Sequence, residues 1–223
     1  MDFDIITNSL KKAFDVWKDN LVAYIIGMCI VFVAGAIIGG AGFAAILAAA
    51  AAVSYAGIGM AIVALIGASI LFLLVTIPLS YGTFYMAIKG ARGEKVEIGD
   101  VFYAFKSVGA YIRALSFVIV YAVLLVIFSI IPFIGTLIFM VLFIYAFYIY
   151  IMTPSEGIGY AFKESFNIAK ENLVETIIVI LVFMVLSMIG SLVIIGQIIT
   201  TPIAMIFVAY AIKELKPGIK DES

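Results

Sequence analysis

Twice in this chain a proline follows closely on threonine inside a charge-free apolar run, as Thr76-Ile77-Pro78 and as Thr200-Thr201-Pro202. Each proline is followed by Ala-Ile-Lys, ending at Lys89 and at Lys213, so the second set repeats the first at a constant offset of 124 positions. A proline within a helix removes an N–H and frees the carbonyl one turn back. Where no water is present, a nearby threonine hydroxyl can help satisfy that backbone. Eleven residues of helix place each proline about 16 Å from its lysine, near the middle of a bilayer if the lysine marks the interface. Such a site serves either as a hinge or opening beside a pathway, or as a static kink that lets helices pack. The hinge or pathway candidates are Thr76, Pro78, Thr200 and Pro202, joined by Ser80 and Gln197. Serine and threonine in membrane helices commonly bond back to their own helix, so residue type alone leaves both uses open.

The rest of the chemical repertoire is sparse. The chain has no histidine, and no Asp or Glu inside its long apolar runs, which removes proton relays and carboxylate-coupled ion transport. It has no phosphate-binding glycine loop, no paired-carboxylate site and no metal-ligand spacing. Cys29 is the only cysteine, so neither an intrachain disulfide nor a cysteine-only metal site can form. The expectation is no enzyme, no cofactor and no metal.

The elements that position the prolines follow from charge placement. Of the residues, 66% are apolar and 12% charged, far from the roughly one-quarter charged composition of soluble domains. The charged residues fall in four stretches, 2–19, 89–113, 156–175 and 213–222, leaving charge-free intervals at 20–88, 114–155 and 176–212. A membrane helix needs about 20 apolar residues. Each of the last two intervals therefore holds a hairpin, broken at Ile131-Pro132-Phe133-Ile134-Gly135 and between Gly190 and Gln197. If the first interval is also a hairpin, all 13 Lys and Arg residues lie on one face, which the positive-inside rule makes cytoplasmic. The acidic start at Asp2 and Asp4 with a long first apolar run reads as a signal anchor. The localisation expected is a prokaryotic plasma membrane, multi-pass, with both termini cytoplasmic.

A second repeat explains the flanks. FDVWKDNLV at 14–22 returns as FNIAKENLV at 166–174, and apolar residues around both fall close to the helical period. Thr153-Pro154-Ser155-Glu156 is an expected start for the second helix, with threonine as N-cap, proline first and glutamate closing a capping box. Tyr103-Ala104-Phe105-Lys106 matches Tyr160-Ala161-Phe162-Lys163, and Ile98, Val101, Phe105, Val108 and Ile112 line one face of a weaker third copy. The fold class expected is all-α integral membrane: three repeats of an amphipathic interfacial helix plus a transmembrane hairpin, six transmembrane helices. Residues 1–223 form a single membrane domain with units about 1–89, 96–153 and 154–213. Phe14, Trp17, Phe105, Phe162 and Phe166 are the membrane-interface residues expected. The alternative is that these helices pack on one another as a cytoplasmic bundle.

The first interval is longer than a hairpin requires. Its surplus is an alanine-rich segment, 43–53, bounded by glycines. It is a re-entrant or surface helix, the tips of two helices of about 30 residues, or a full crossing that would give seven spans. Seven would put the two nonapeptides on opposite faces, which argues for six. Gly35 and Gly39 form a small-residue face suited to close helix packing.

Tyr81-Gly82-Thr83 ahead of Lys89-Gly90-Ala91-Arg92-Gly93-Glu94, Gly99-Asp100-Val101-Phe102, and Gly157 to Phe166 resemble a broad family of prokaryotic six-span proteins related to the membrane domain found beside glycerophosphodiester phosphodiesterases. The resemblance spans nearly the whole chain through hydrophobic spacing and loose motifs. It implies a stand-alone membrane module whose phosphodiesterase domain is absent, so that activity does not carry over.

Two functions fit these features. One is permeation or transport of a neutral or lipid-like substrate. The other is a structural or assembly role, in which the chain oligomerises or organises lipid. The lipid bilayer is the expected partner, with a homo-oligomer in the second reading and no nucleic acid in either.

Overall fold

The structure is a computed structural model that describes residues 3–51, 55–192 and 196–219. Those residues are overwhelmingly helical and include no strand. The elements are α1 (Phe3–Asp19), α2 (Leu21–Ala51), α3 (Tyr55–Ala91), a 3₁₀ helix (Ile98–Lys106), α4 (Val108–Ser129), α5 (Ile134–Phe143), α6 (Ala146–Met152), α7 (Gly157–Glu171), α8 (Leu173–Ser191) and α9 (Gly196–Leu215). Among the described residues six helical stretches are long and apolar enough to cross a membrane: α2, α3, α4, α5 with α6, α8 and α9. The chain is an all-α, multi-pass membrane protein.

All four charged stretches meet at one end of the bundle. Lys12 pairs with Glu214 at 2.8 Å and Lys216 pairs with Glu164. Asn20 Oδ1 accepts the Val96 N–H at 3.0 Å, and Lys213 Nζ donates to the Ala91 carbonyl at 3.4 Å. The core sits beside this charged end, where residues such as Ala87, Ile88, Ile149, Ile151, Phe207 and Ile212 are fully enclosed.

The two nonapeptides share one local geometry. Asn20 and Asn172 each occupy a one-residue turn between an amphipathic helix and the membrane helix after it. Asn20 Nδ2 donates to the Val16 carbonyl at 3.0 Å, and Asn172 Nδ2 donates to the Ile168 carbonyl at 3.1 Å. Each asparagine thus closes the last turn of the helix before it, where carbonyls lack helical partners.

Several expectations are corrected. Thr153 does not cap α7: its hydroxyl donates back to Ile149 at 2.8 Å and closes α6. Helix α7 opens at Gly157, whose φ of +83° is a conformation glycine adopts without strain. The middle amphipathic segment is a nine-residue 3₁₀ helix. Ser107 then caps α4 by accepting the Ala110 N–H, which places Val108 and Ile112 on a membrane helix. Helix α1 does not lie on lipid alone, because it packs on α9 and has Ile6, Ser9 and Ala13 buried. For the alanine-rich segment the structure agrees with one of the readings offered: as far as Ala51 it continues α2, so that α2 has 31 residues and α3 37. Residues 52 and 53 of that segment, residues 193–195 of the second break, and the ends of the chain at Asp2 and Lys220 lie outside the described residues.

Candidate functional site: an apolar cavity beside Pro78

Pro78 lies inside α3 and is buried, as is Pro202 inside α9. The residue one turn before Pro78 is Leu74, whose carbonyl the proline deprives of its helical donor. Tyr111 of α4 replaces that donor: its hydroxyl donates to Leu74 O at 2.9 Å. The threonine expected in this role does not perform it, since Thr76 Oγ1 is enclosed without a hydrogen-bond partner.

Two cavities flank this stretch of α3. One, of about 530 Å³, lies between α3, α4, α5 with α6, α8 and α9. The other, of about 560 Å³, lies between α3, α2 and α9. Phe72, Thr76, Ser80 and Phe84 line both, so the segment around Pro78 is the wall between them. Both volumes fall within the range of small-molecule pockets, roughly 300–1,000 Å³. Phe72 is 42% exposed and Phe32 of the second cavity 45% exposed, so each cavity communicates with the apolar outer surface.

The wall of the first cavity is aromatic. Phe84 contacts Phe147 with centroids 4.3 Å apart, Phe147 meets the edge of Phe117 at 4.9 Å, and Phe117 stacks on Phe162 at 5.4 Å. Phe162, expected at the membrane interface, is instead buried as the last member of this chain of rings. Helix α7 packs on α5 and α6, and Ser165 Oγ fixes its register by donating to Leu142 O at 2.8 Å. Among the other expected interface residues, Phe14, Phe105 and Phe166 are exposed, whereas Trp17 is partly buried with its indole N–H enclosed and unpartnered.

Tyr148 also lines the first cavity, and sequence reasoning missed it. It is 2% exposed and its hydroxyl has no partner. A buried hydroxyl left unbonded costs on the order of 1–3 kcal/mol. Thr76 and Tyr148, which both line the first cavity, each carry one such hydroxyl, enclosed by the protein. A helix-facing tyrosine among four aromatic residues, Tyr145, Phe147, Tyr148 and Tyr150, carried no mark in the sequence that set it apart.

The remaining candidates serve the turn between α8 and α9 instead. Gln197 Nε2 donates to Ser187 O at 2.9 Å, Thr201 Oγ1 donates to Gln197 Oε1 at 2.9 Å and Thr200 Oγ1 donates to Gly196 O at 3.1 Å. Gly190 lies so close to Thr200 that a Cβ there would meet its hydroxyl at 2.1 Å. Pro202 borders a small void with Tyr24, Met28 and Thr83. The glycine face expected to bring helices together is also displaced. A Cβ on Gly35 would touch Phe72 only at 3.8 Å and one on Gly39 would touch nothing, whereas one on Gly42 would meet Ala68 Cβ at 2.8 Å. Of the three, only Gly42 leaves no room for a Cβ against α3.

No protein-family model, curated protein or solved structure matches this chain.

Proposed function

We propose that this protein passes an uncharged, lipid-like substrate across or within a prokaryotic plasma membrane, with six spans and both termini in the cytoplasm. The observation that carries the reading is the pair of apolar cavities separated by the Pro78 segment. A wall containing a helix-internal proline can shift without breaking a full ladder of helical hydrogen bonds. The resemblance to six-span prokaryotic membrane proteins supports a stand-alone, non-enzymatic module. Apolar walls favour a lipid-like substrate over a water-soluble one. The test is transbilayer exchange of an uncharged fluorescent glycolipid in proteoliposomes, read by external dithionite. Exchange above the protein-free rate that Pro78→Ala suppresses is expected, and exchange at the protein-free rate would overturn the reading.

A specific observation supports the assembly reading as well. Helix α3 has 37 residues, about 55 Å, against roughly 30 Å of hydrocarbon. Its outer part is apolar and uncovered, with Ile58, Val63, Ile66 and Leu71 each at least half exposed. Apolar surface beyond the bilayer calls for cover, and further copies of the chain would supply it. Crosslinking of a cysteine at Val63 between chains in vesicles tests this reading.

A further inference from the structure

Among the described residues, the half-buried cations of this chain have partners, with one exception. Lys89 and Lys216 pair with Asp100 and Glu164, Arg92 lies 3.8 Å from Glu94, and Lys213 donates to the Ala91 carbonyl. Arg113 of α4 is half-buried too, yet no carboxylate pairs with it and its guanidinium makes no hydrogen bond. Of its three side-chain nitrogens only Nε is enclosed without a partner, which leaves the two terminal nitrogens accessible and unbonded. The side chains within reach of its charge are the phenols of Tyr81 on α3 and Tyr150 on α6, neither of which is a counter-ion. Arg113 stands five residues into a helix that is apolar and long enough to cross a membrane, about 8 Å along its axis. Val108, Ile112 and Ile119 of the same helix are exposed apolar side chains.

From this arrangement we propose that Arg113 holds the phosphate of one phospholipid, which accepts hydrogen bonds from the two terminal guanidinium nitrogens at the charged end of the bundle. A guanidinium cannot shed its proton to escape a poorly solvated place, and a charge partly withdrawn from water is costly without a counter-charge. The protein supplies none: Asp100 is taken by Lys89 and Lys106, and Glu164 by Lys216. The planar fork of two N–H donors matches two oxygens of a phosphate. Enclosure of Nε fixes the direction of that fork, so the group is held in place before a ligand arrives. Near the end of a membrane helix flanked by apolar side chains, the anion at hand is a lipid headgroup. This lipid is a resident of the bundle and not the uncharged substrate proposed above, and neither reading depends on the other.

The experiment is native mass spectrometry of the full chain, released from detergent micelles to which phosphatidylglycerol has been added. A retained phosphatidylglycerol adduct is expected, and diacylglycerol with the same chains, which lacks the phosphate, should not be retained; this comparison needs no variant. Arg113→Gln should lower the bound fraction about tenfold or more, the scale of a hydrogen bond to a charged group. Arg113→Lys keeps the charge without the fork and should lower it less. Lys163→Gln, which removes an exposed cation of α7, should leave it unchanged. Inorganic phosphate in excess should not displace the lipid. Equal retention of diacylglycerol, unchanged binding in Arg113→Gln, equal losses in Arg113→Gln and Lys163→Gln, or displacement by inorganic phosphate would each overturn the proposal. Matching melting temperatures of the wild type and Arg113→Gln in lipid-free detergent show that a loss of adduct is not a loss of fold.

Discussion

The hydroxyl of Tyr111 on α4 lies 2.9 Å from the carbonyl oxygen of Leu74 on α3. Leu74 is the residue whose helical bond Pro78 abolishes. One helix therefore repairs the backbone of its neighbour, and the proline and the contact between α3 and α4 depend on each other. Tyr111→Phe should destabilise the protein by about 1 kcal/mol, the scale of a hydrogen bond in a membrane protein. Pro78→Ala restores an N–H to Leu74, so in that background Tyr111→Phe should cost almost nothing. Unfolding free energies around this double-mutant cycle measure the coupling; additive effects would mean that the tyrosine contact is incidental.

Gly82 sets how closely α3 and the 3₁₀ helix approach. A Cβ there would stand 1.8 Å from the Val101 carbonyl oxygen, and backbone cannot rotate aside as a side chain can. Gly82→Ala is expected to destabilise by several kcal/mol, comparable with severe overpacking at roughly 1–3 kcal/mol or more. Gly59→Ala is the control, because nothing lies within 4 Å of a Cβ at that position. It should raise stability by roughly 0.5–1 kcal/mol through helix propensity alone. Thermal melts in one detergent would compare the two.

Tyr148→Phe should stabilise the lipid-free protein. Its hydroxyl is enclosed and unbonded, so its removal relieves a desolvation cost on the order of 1 kcal/mol. Most truncations of a core side chain destabilise, which makes the sign diagnostic. A lower melting temperature in delipidated protein would show that the hydroxyl has a partner.

With Cys29 changed to serine, single cysteines at Lys11, Lys106 and Lys163 should all resist an impermeant thiol reagent added outside intact cells. These positions belong to three of the charged stretches that meet at one end of the bundle. Labelling of one and not the others would break the six-span topology.

How much of this was legible depended on the range of the interactions. Charge placement and apolar run length are local, and they located the apolar helices and the break around Pro132, where Phe133 takes a φ of +68°. The asparagines of the nonapeptides were also visible, because Asn20 and Asn172 bond within their own helices. Partners from other helices were not. Thr76 stood beside Pro78 in sequence, yet the donor that Leu74 uses comes from Tyr111, 37 residues away. Gly35 and Gly39 had the familiar spacing, but of these neighbouring glycines it is Gly42 that leaves no room for a Cβ against α3, because where two long helices touch is set by how the whole hairpin crosses. Phe162 looked interfacial on a helical wheel until the packing of α7 on α5 turned it inward. Thr153 met the pattern for an N-cap, but the positive φ of Gly157 moved the start of α7 beyond its reach.

The seating of α1 on α9 has a consequence for how the protein is made. Lys12 finds Glu214 202 positions later, and α9 is the helix on which α1 packs most extensively. At about 5–20 residues per second of synthesis, the first helix emerges roughly 10–40 s before its seat exists. During that interval its apolar face has the membrane surface as its nearest shelter. Helix α1 is thus translated well before the helix it packs on, and it reaches its final place only once α9 is made. A chain stopped before residue 196 should leave α1 on the bilayer surface and open to protease, whereas the completed chain should protect it.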